Sequence, residues 1–280
     1  MRRRPQRNIE MSTFTRRVLL RAALLSMAAS VLGARADKAD RYIARGQSMI
    51  AGRNPTGAIR ELTKAIQLRP DNAQAYYWRG WARALLDDSK NAIEDWTVAI
   101  RLKPDFAEAY AGRGAARGEQ RDIQGALSDL TKAIQLRPNF GIAYAGRGAA
   151  KQDSGDVNGA IEDFEKAWRL QPALVQQFGQ FMKEAYYARG NARRRSDDTD
   201  GGIEDFNKAI QIDPYFADAY GARASARQAK DDLDAADADL ARATALKQRV
   251  PAKLRRVSFW TLWWSQLSDD AVAIAPPPVP

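Results

Sequence analysis

Apolar and polar residues recur along this chain on two scales, a short helical one and a longer one of 34 residues. The pentad Tyr-x-x-Arg-Gly starts at Tyr42, Tyr76, Tyr110, Tyr144 and Tyr186, and a copy with alanine in the last place starts at Tyr220. Spacing is 34 residues throughout, except for 42 between the fourth and fifth copies. With this tyrosine at position 4, the units run 39–72, 73–106, 107–140, 141–174, 183–216 and 217–250, and residues 175–182 are an insertion. Within each unit, positions 4, 8 and 11 share one helical stripe and positions 20, 24 and 27 share another, the i, i+4, i+7 spacing of an amphipathic helix. The pattern predicts two helices per unit and no strands.

Side-chain size carries the next step. Position 20 is Ala58, Ala92, Ala126, Ala160, Gly202 and Ala236, and position 27 is alanine in all six units. Position 24 is bulky: Leu62, Trp96, Leu130, Phe164, Phe206 and Leu240. Small residues let helix axes approach, and the large one fills the space between layers. Pro70, Pro104, Pro138, Pro172 and Pro214 at position 32 end the second helix, because proline disfavours helix in the residue before it. A lone helical hairpin cannot bury both faces, so the units must stack.

These residues resemble the tetratricopeptide repeat (TPR) family: an aromatic at 4, Gly or Ala at 8, Ala at 20, an aromatic at 24, Ala at 27 and Pro at 32. Departures are Gly202 for alanine, Gln248 for the last proline, and a basic residue in place of an aromatic at most copies of position 11. The resemblance implies an all-α, right-handed superhelical solenoid of six units, with a concave groove lined by first helices at positions 2, 5, 9, 12 and 13. Mapped here, those positions bring Tyr77, Trp81 and Leu85 from the second unit, Ala111, Ala115, Ala145 and Ala149 from the middle, and Tyr187, Asn191, Arg194 and Arg195 from the fifth. With neighbouring Trp78, these are the candidate partner-binding residues, although Trp78 and Trp81 are equally suited to packing between units. Relatives that clamp a terminal carboxylate place Lys, Asn and Arg where this chain has Ile43, Gln47, Trp78, Ala111 and Ala115, so that clamp is not expected.

Residues present in every unit are expected to build it. Position 7 is always arginine (Arg45, Arg79, Arg113, Arg147, Arg189, Arg223), and position 23 is always acidic (Glu61, Asp95, Asp129, Asp163, Asp205, Asp239). Both lie on inward stripes, where a buried charge needs a partner, so an arginine–carboxylate ladder between the two helices is expected rather than an anion-binding stripe. Gly112-Arg113-Gly114 and Gly146-Arg147-Gly148 look like half of a dinucleotide fingerprint, but they follow no strand and open no phosphate-binding turn.

Outside the repeats, residues 1–36 hold eight arginines and one glutamate, and so carry +7 of the chain's net +10. Thr15-Arg16-Arg17-Val18-Leu19-Leu20-Arg21, a 12-residue apolar run from Ala22 to Gly33, and Ala34-Arg35-Ala36 form a basic, apolar and small-residue series. The series reads as an export signal ending at Ala36. It resembles a bacterial twin-arginine signal, which implies periplasmic delivery; an uncleaved inner-membrane anchor and a start at Met11 are alternatives. The apolar run is short of the ~20 residues that span a bilayer as a helix. Since most of the excess charge sits in this segment, no nucleic-acid partner is expected.

At the other end, residues 251–268 have helical length and hold Lys253, Arg255, Arg256, Phe259, Trp260, Trp263 and Trp264. A capping helix on the last unit is expected there, but its aromatics occupy more than one helix face, so contact with a membrane surface or another subunit is a second reading. Residues 269–280, with three consecutive prolines, read as an extended tail.

With no cysteine and no histidine in 280 residues, the chain has no thiolate nucleophile, no imidazole base and no disulfide, and lacks the usual zinc ligands. No cofactor and no metal are expected. The reading is an exported, non-enzymatic scaffold for a protein or peptide partner. An envelope or membrane-surface structural protein is the alternative, and a carboxylate-based hydrolase is the least supported, because the position-23 acids are already assigned partners.

Overall fold

The structure, a computed structural model, describes residues 33–249. Among them are twelve helices and no strands. Helix α1 covers residues 33–51. It is followed by α2 (Pro55–Leu68), α3 (Ala73–Ala84), α4 (Ser89–Leu102), α5 (Ala107–Glu119), α6 (Ile123–Leu136), α7 (Gly141–Asp153), α8 (Val157–Leu170), α9 (Leu174–Arg195), α10 (Thr199–Ile212), α11 (Ala217–Gln228) and α12 (Leu233–Arg249). The 34-residue period thus becomes a series of antiparallel helix pairs, each stacked on the next, which makes the described chain an all-α solenoid.

Each pair is closed by the same turn. Position 15 has a positive φ in all six units: Arg53, Asp87, Arg121, Gly155, Asp197 and Asp231. Only Gly155 does so without steric cost. The next residue caps the second helix: Asn54, Asp122, Asp156 and Asp198 accept hydrogen bonds from the amides of Gly57, Gly125, Gly159 and Gly201 at 2.9–3.0 Å. The second helix ends at position 31, where Arg69, Lys103, Arg137, Gln171 and Asp213 have left helical geometry for the extended conformation that proline imposes on its predecessor.

Packing follows the size pattern. The alanines at 20 and 27 are buried, and so are Leu62, Trp96, Leu130, Phe164 and Phe206 at position 24. Contact is tight at position 8: a Cβ on Gly80 would sit 2.9 Å from the Trp96 ring, and one on Gly190 2.8 Å from the Phe206 ring. Leu240, the sixth copy of position 24, is 40% exposed, and Leu233 beside it is also exposed, so the outer face of the last unit is open.

The insertion is helical. Helix α9 has 22 residues and starts nine before Lys183, so the fifth unit's first helix begins about two and a half turns early. Leu174, Phe178 and Met182 on this extension are buried against the fourth unit. The expected export signal, apart from its last residues in α1, and the expected capping helix and tail (251–268 and 269–280) lie outside the described residues. The Ala36–Asp37 junction falls within α1.

Candidate functional site: the inner wall of the solenoid

The ladder is present in every unit. Arg79, Arg113, Arg147, Arg189 and Arg223 each hold Asp95, Asp129, Asp163, Asp205 and Asp239 by two parallel N–H···O bonds of 2.6–2.9 Å. Arg45 reaches Glu61 at 3.7 Å. The sequence reading missed a second cation. Position 11 supplies Arg83, Arg117, Lys151, Arg193 and Arg227 to the same carboxylates at 2.7–3.2 Å. Its periodicity was the available signal. The aspartates are buried and the cations only partly so, which lets one anion serve two cations at low desolvation cost. Asp163 and Asp205 hold the Arg147 and Arg189 guanidiniums above their ordinary pKa, chiefly through hydrogen bonds. Some arginines also reach back one unit, Arg113 to Thr97 at 3.1 Å and Arg223 to Asn207 at 2.6 Å. The ladder therefore fastens helices within and between units. Every arginine at position 7 is occupied by it, so no anion-binding stripe remains.

Recognition has to use what differs between units. First helices α3, α5, α7, α9 and α11 touch one another in succession, whereas the second helices form no such series, so the first helices make the inner wall. The candidate binding residues fall into two groups on it. Tyr77, Trp78 and Trp81 are buried, at 8, 6 and 2% exposure. The Trp81 indole N–H donates to the Tyr77 hydroxyl at 3.1 Å, and the Tyr77 ring lies 4.8 Å from Phe106 and 5.1 Å from Trp78. Burial pushes the Tyr77 phenol well above its usual pKa, with Glu108 adding to the shift. Of the two uses open to Trp78 and Trp81, packing is the one seen: these rings and Tyr77 are enclosed, and Leu85 packs half-buried beside them.

The second group is open. Tyr187 is half-buried, with its ring 5.3 Å from Phe216, which repeats the Tyr77–Phe106 pair three units later. Asn191 is half-buried and donates to the Tyr187 carbonyl at 3.1 Å. Arg194 is half-buried, and its Nε is buried without a hydrogen-bond partner; Arg195 is exposed. The structure thus brings Tyr187, Asn191, Arg194 and Arg195 together along one helix, separate from the enclosed aromatic cluster. Lys253, Arg255, Arg256, Phe259, Trp260, Trp263 and Trp264 lie outside the described residues.

A second concavity lies between α8 and α10. It is a cleft of about 430 Å³ lined by Glu165, Trp168, Pro172, Tyr186 and Lys208. The Tyr186 hydroxyl donates to Glu165, and Lys208 is 3.5 Å from the same carboxylate. Burial raises the Glu165 pKa, but these two partners outweigh it and leave the carboxyl below its ordinary value. Its polar groups are satisfied by one another. Among the described residues, no group of three or more potential metal ligands occurs and no helix is long and apolar enough to cross a membrane.

Known proteins place this geometry. Residues 183–216 match the tetratricopeptide repeat model. The solved structure of pilF from Pseudomonas aeruginosa is similar at 18% identity with a TM-score of 0.56, over 85% of this chain and 99% of that one. YrrB, described as a TPR protein with an unusual peptide-binding site, is similar at 19% identity with a TM-score of 0.53, over 67% of this chain and 93% of that one. Among curated proteins, none matches the chain in sequence. At these identities the likeness is one of fold: an all-α TPR solenoid.

Proposed function

We propose that the chain is an exported, non-enzymatic scaffold that holds an apolar helical or extended segment of a partner protein along the inner wall. One observation carries this reading. The residues that repeat in every unit are consumed by packing and by the ladder, while the inner-wall positions differ from unit to unit, buried apolar side chains in units two to four giving way to half-buried Tyr187, Asn191 and Arg194 and exposed Arg195 in the fifth. The buried, unpartnered Nε of Arg194 favours an acidic group at that end of the ligand. That YrrB is described as having a peptide-binding site supports the same use of the fold.

The test is a photo-reactive residue in place of Tyr187, compared with one at Lys132 on an outer helix. Adducts with a partner segment should form from the first position, and adducts only from the second would contradict the reading. In the Arg194→Glu, Arg195→Glu chain, affinity for that segment should fall by about tenfold, the scale of one lost charge-assisted contact. Export rests on the amino-terminal residues alone. Protein recovered from the producing cell should begin at Asp37, and an intact Met1 or Met11 would overturn export with cleavage.

A further inference from the structure

Between the fourth and fifth units, at the junction that carries the insertion, three positions depart from the repeat together. Position 28 is Ile66, Ile100, Ile134 and Ile210 in units one, two, three and five, each at least half-buried; in the fourth unit it is Trp168, 38% exposed. Position 25 normally ties one unit to the next, as Thr63, Thr97 and Asn207 accept hydrogen bonds from Arg79, Arg113 and Arg223. In the fourth unit it is Glu165, which accepts from the Tyr186 hydroxyl instead. Tyr186 is itself buried, whereas the other five tyrosines at position 4 are half-buried. All three departures meet in the cleft of about 430 Å³ between α8 and α10. That volume is in the range of ligand pockets, and Trp168, Pro172, Tyr186 and Ile212 give the cleft an apolar body with a few charged groups beside it.

We propose that this cleft is a second docking site, for an acidic segment of a partner protein: an apolar side chain lies on Trp168 and Pro172, and a neighbouring carboxylate is held between Arg169 and Lys208. Charge selects this occupant. Arg169 Nη1 and Lys208 Nζ lie 3.8 and 3.5 Å from Glu165, so two cations face one carboxylate that the Tyr186 hydroxyl also serves. One positive charge is left over. A guanidinium carries five N–H donors and an ammonium three, and both side chains are exposed, so each has donors free for a second anion after serving Glu165. An incoming carboxylate brings the cleft to two cations and two anions. A basic segment would meet both cations with the one carboxylate already engaged. Tryptophan and arginine are also the residue types that most often anchor a partner when one side of them is open. None of these residues belongs to the inner wall, so the site stands or falls separately from the reading of that wall.

The test uses the full chain carrying fluorotryptophan, followed by fluorine NMR at low salt, where the charge contribution is least screened. The Trp168 resonance is the one missing from the Trp168→Phe chain. Titration with the peptide acetyl-Phe-Asp-Phe-Asp-amide should move that resonance to a saturating shift, and a stationary resonance would overturn the proposal. The same peptide with asparagine or lysine in place of aspartate should bind at least about tenfold more weakly, the scale of one lost charge-assisted contact. An equal response to either would overturn the acidic assignment. Lys208→Glu should weaken the aspartate peptide by about tenfold, whereas Lys132→Glu, the same change at the same position of the third unit, should alter its affinity by less than about twofold. Equal losses would show attraction to the overall charge and overturn the site. Should a glutamate beside Glu165 disturb folding, the Arg169→Gln, Lys208→Gln chain replaces it; its affinity should also fall by about tenfold, and an unaltered affinity would overturn the proposal.

Discussion

Two stretches of the inner wall use the same framework to different ends. In the second unit, Tyr77 packs on Phe106, bonds to Trp81 and is enclosed; in the fifth, Tyr187 packs on Phe216 in the same way and keeps part of its surface open. The ladder beneath is alike in both, Arg79–Asp95 at 2.8 Å and Arg189–Asp205 at 2.7 Å. A repeated scaffold therefore does not dictate a repeated surface. Residues that recur fix the pairing of helices, and those that vary decide whether a stretch is filled with aromatic rings or left polar and reachable.

The contrast can be broken from its foundation. Trp96 lies fully buried under the enclosed stretch, with its indole N–H donating to the Tyr77 carbonyl at 3.2 Å. Trp96→Ala should destabilise the chain by about 4 kcal/mol through the cavity and the lost bond, measured by denaturant unfolding. Asp129→Ala strands Arg113 and Arg117, and about 3 kcal/mol should be lost. Trp81→Ala, at a nearly fully buried ring, should likewise register as lost stability of about 3 kcal/mol, whereas Tyr187→Ala in the open stretch should cost roughly half of that. Tyr77→Phe removes one buried hydrogen bond, about 1 kcal/mol at neutral pH. It should also remove an alkaline sensitivity. The folded Tyr77 phenol titrates above its unfolded value of about 10, so the stability it contributes is complete below that pH and is lost as pH rises toward the folded value. Unfolding curves between neutral and alkaline pH should be flatter for the phenylalanine chain. Smallest of all, Arg121→Gly should stabilise by about 0.5 kcal/mol, since Arg121 sits at φ 65° where the equivalent Gly155 is at home.

Much of this architecture was legible from spacing. The helix pairs, the close approach at positions 8, 20 and 27, the bulky residue at 24 and the ladder between positions 7 and 23 all follow from side-chain size and charge repeated every 34 residues. The insertion contains no proline, and in the structure it extends α9. Two recurrent features escaped notice. The cations at position 11 share the aspartate, which was hidden because the family pattern places an aromatic there; the left-handed turn at position 15 was hidden because five different residues are not glycine at all but arginine or aspartate. The state of the inner wall was illegible for a different reason. Tyr77, Trp81 and Tyr187 occupy equivalent faces, and how far each ring is enclosed depends on the packing around it, which no local period records.

The account depends most on the inner-wall side chains being buried in units two to four and reachable beyond them. Ala115→Cys and Ser225→Cys occupy the same position of the third and sixth units, and their maleimide reaction rates in the otherwise unaltered chain compare the two stretches directly. The account predicts that the thiol at 115 reacts at least about tenfold more slowly than the thiol at 225; equal rates would contradict it.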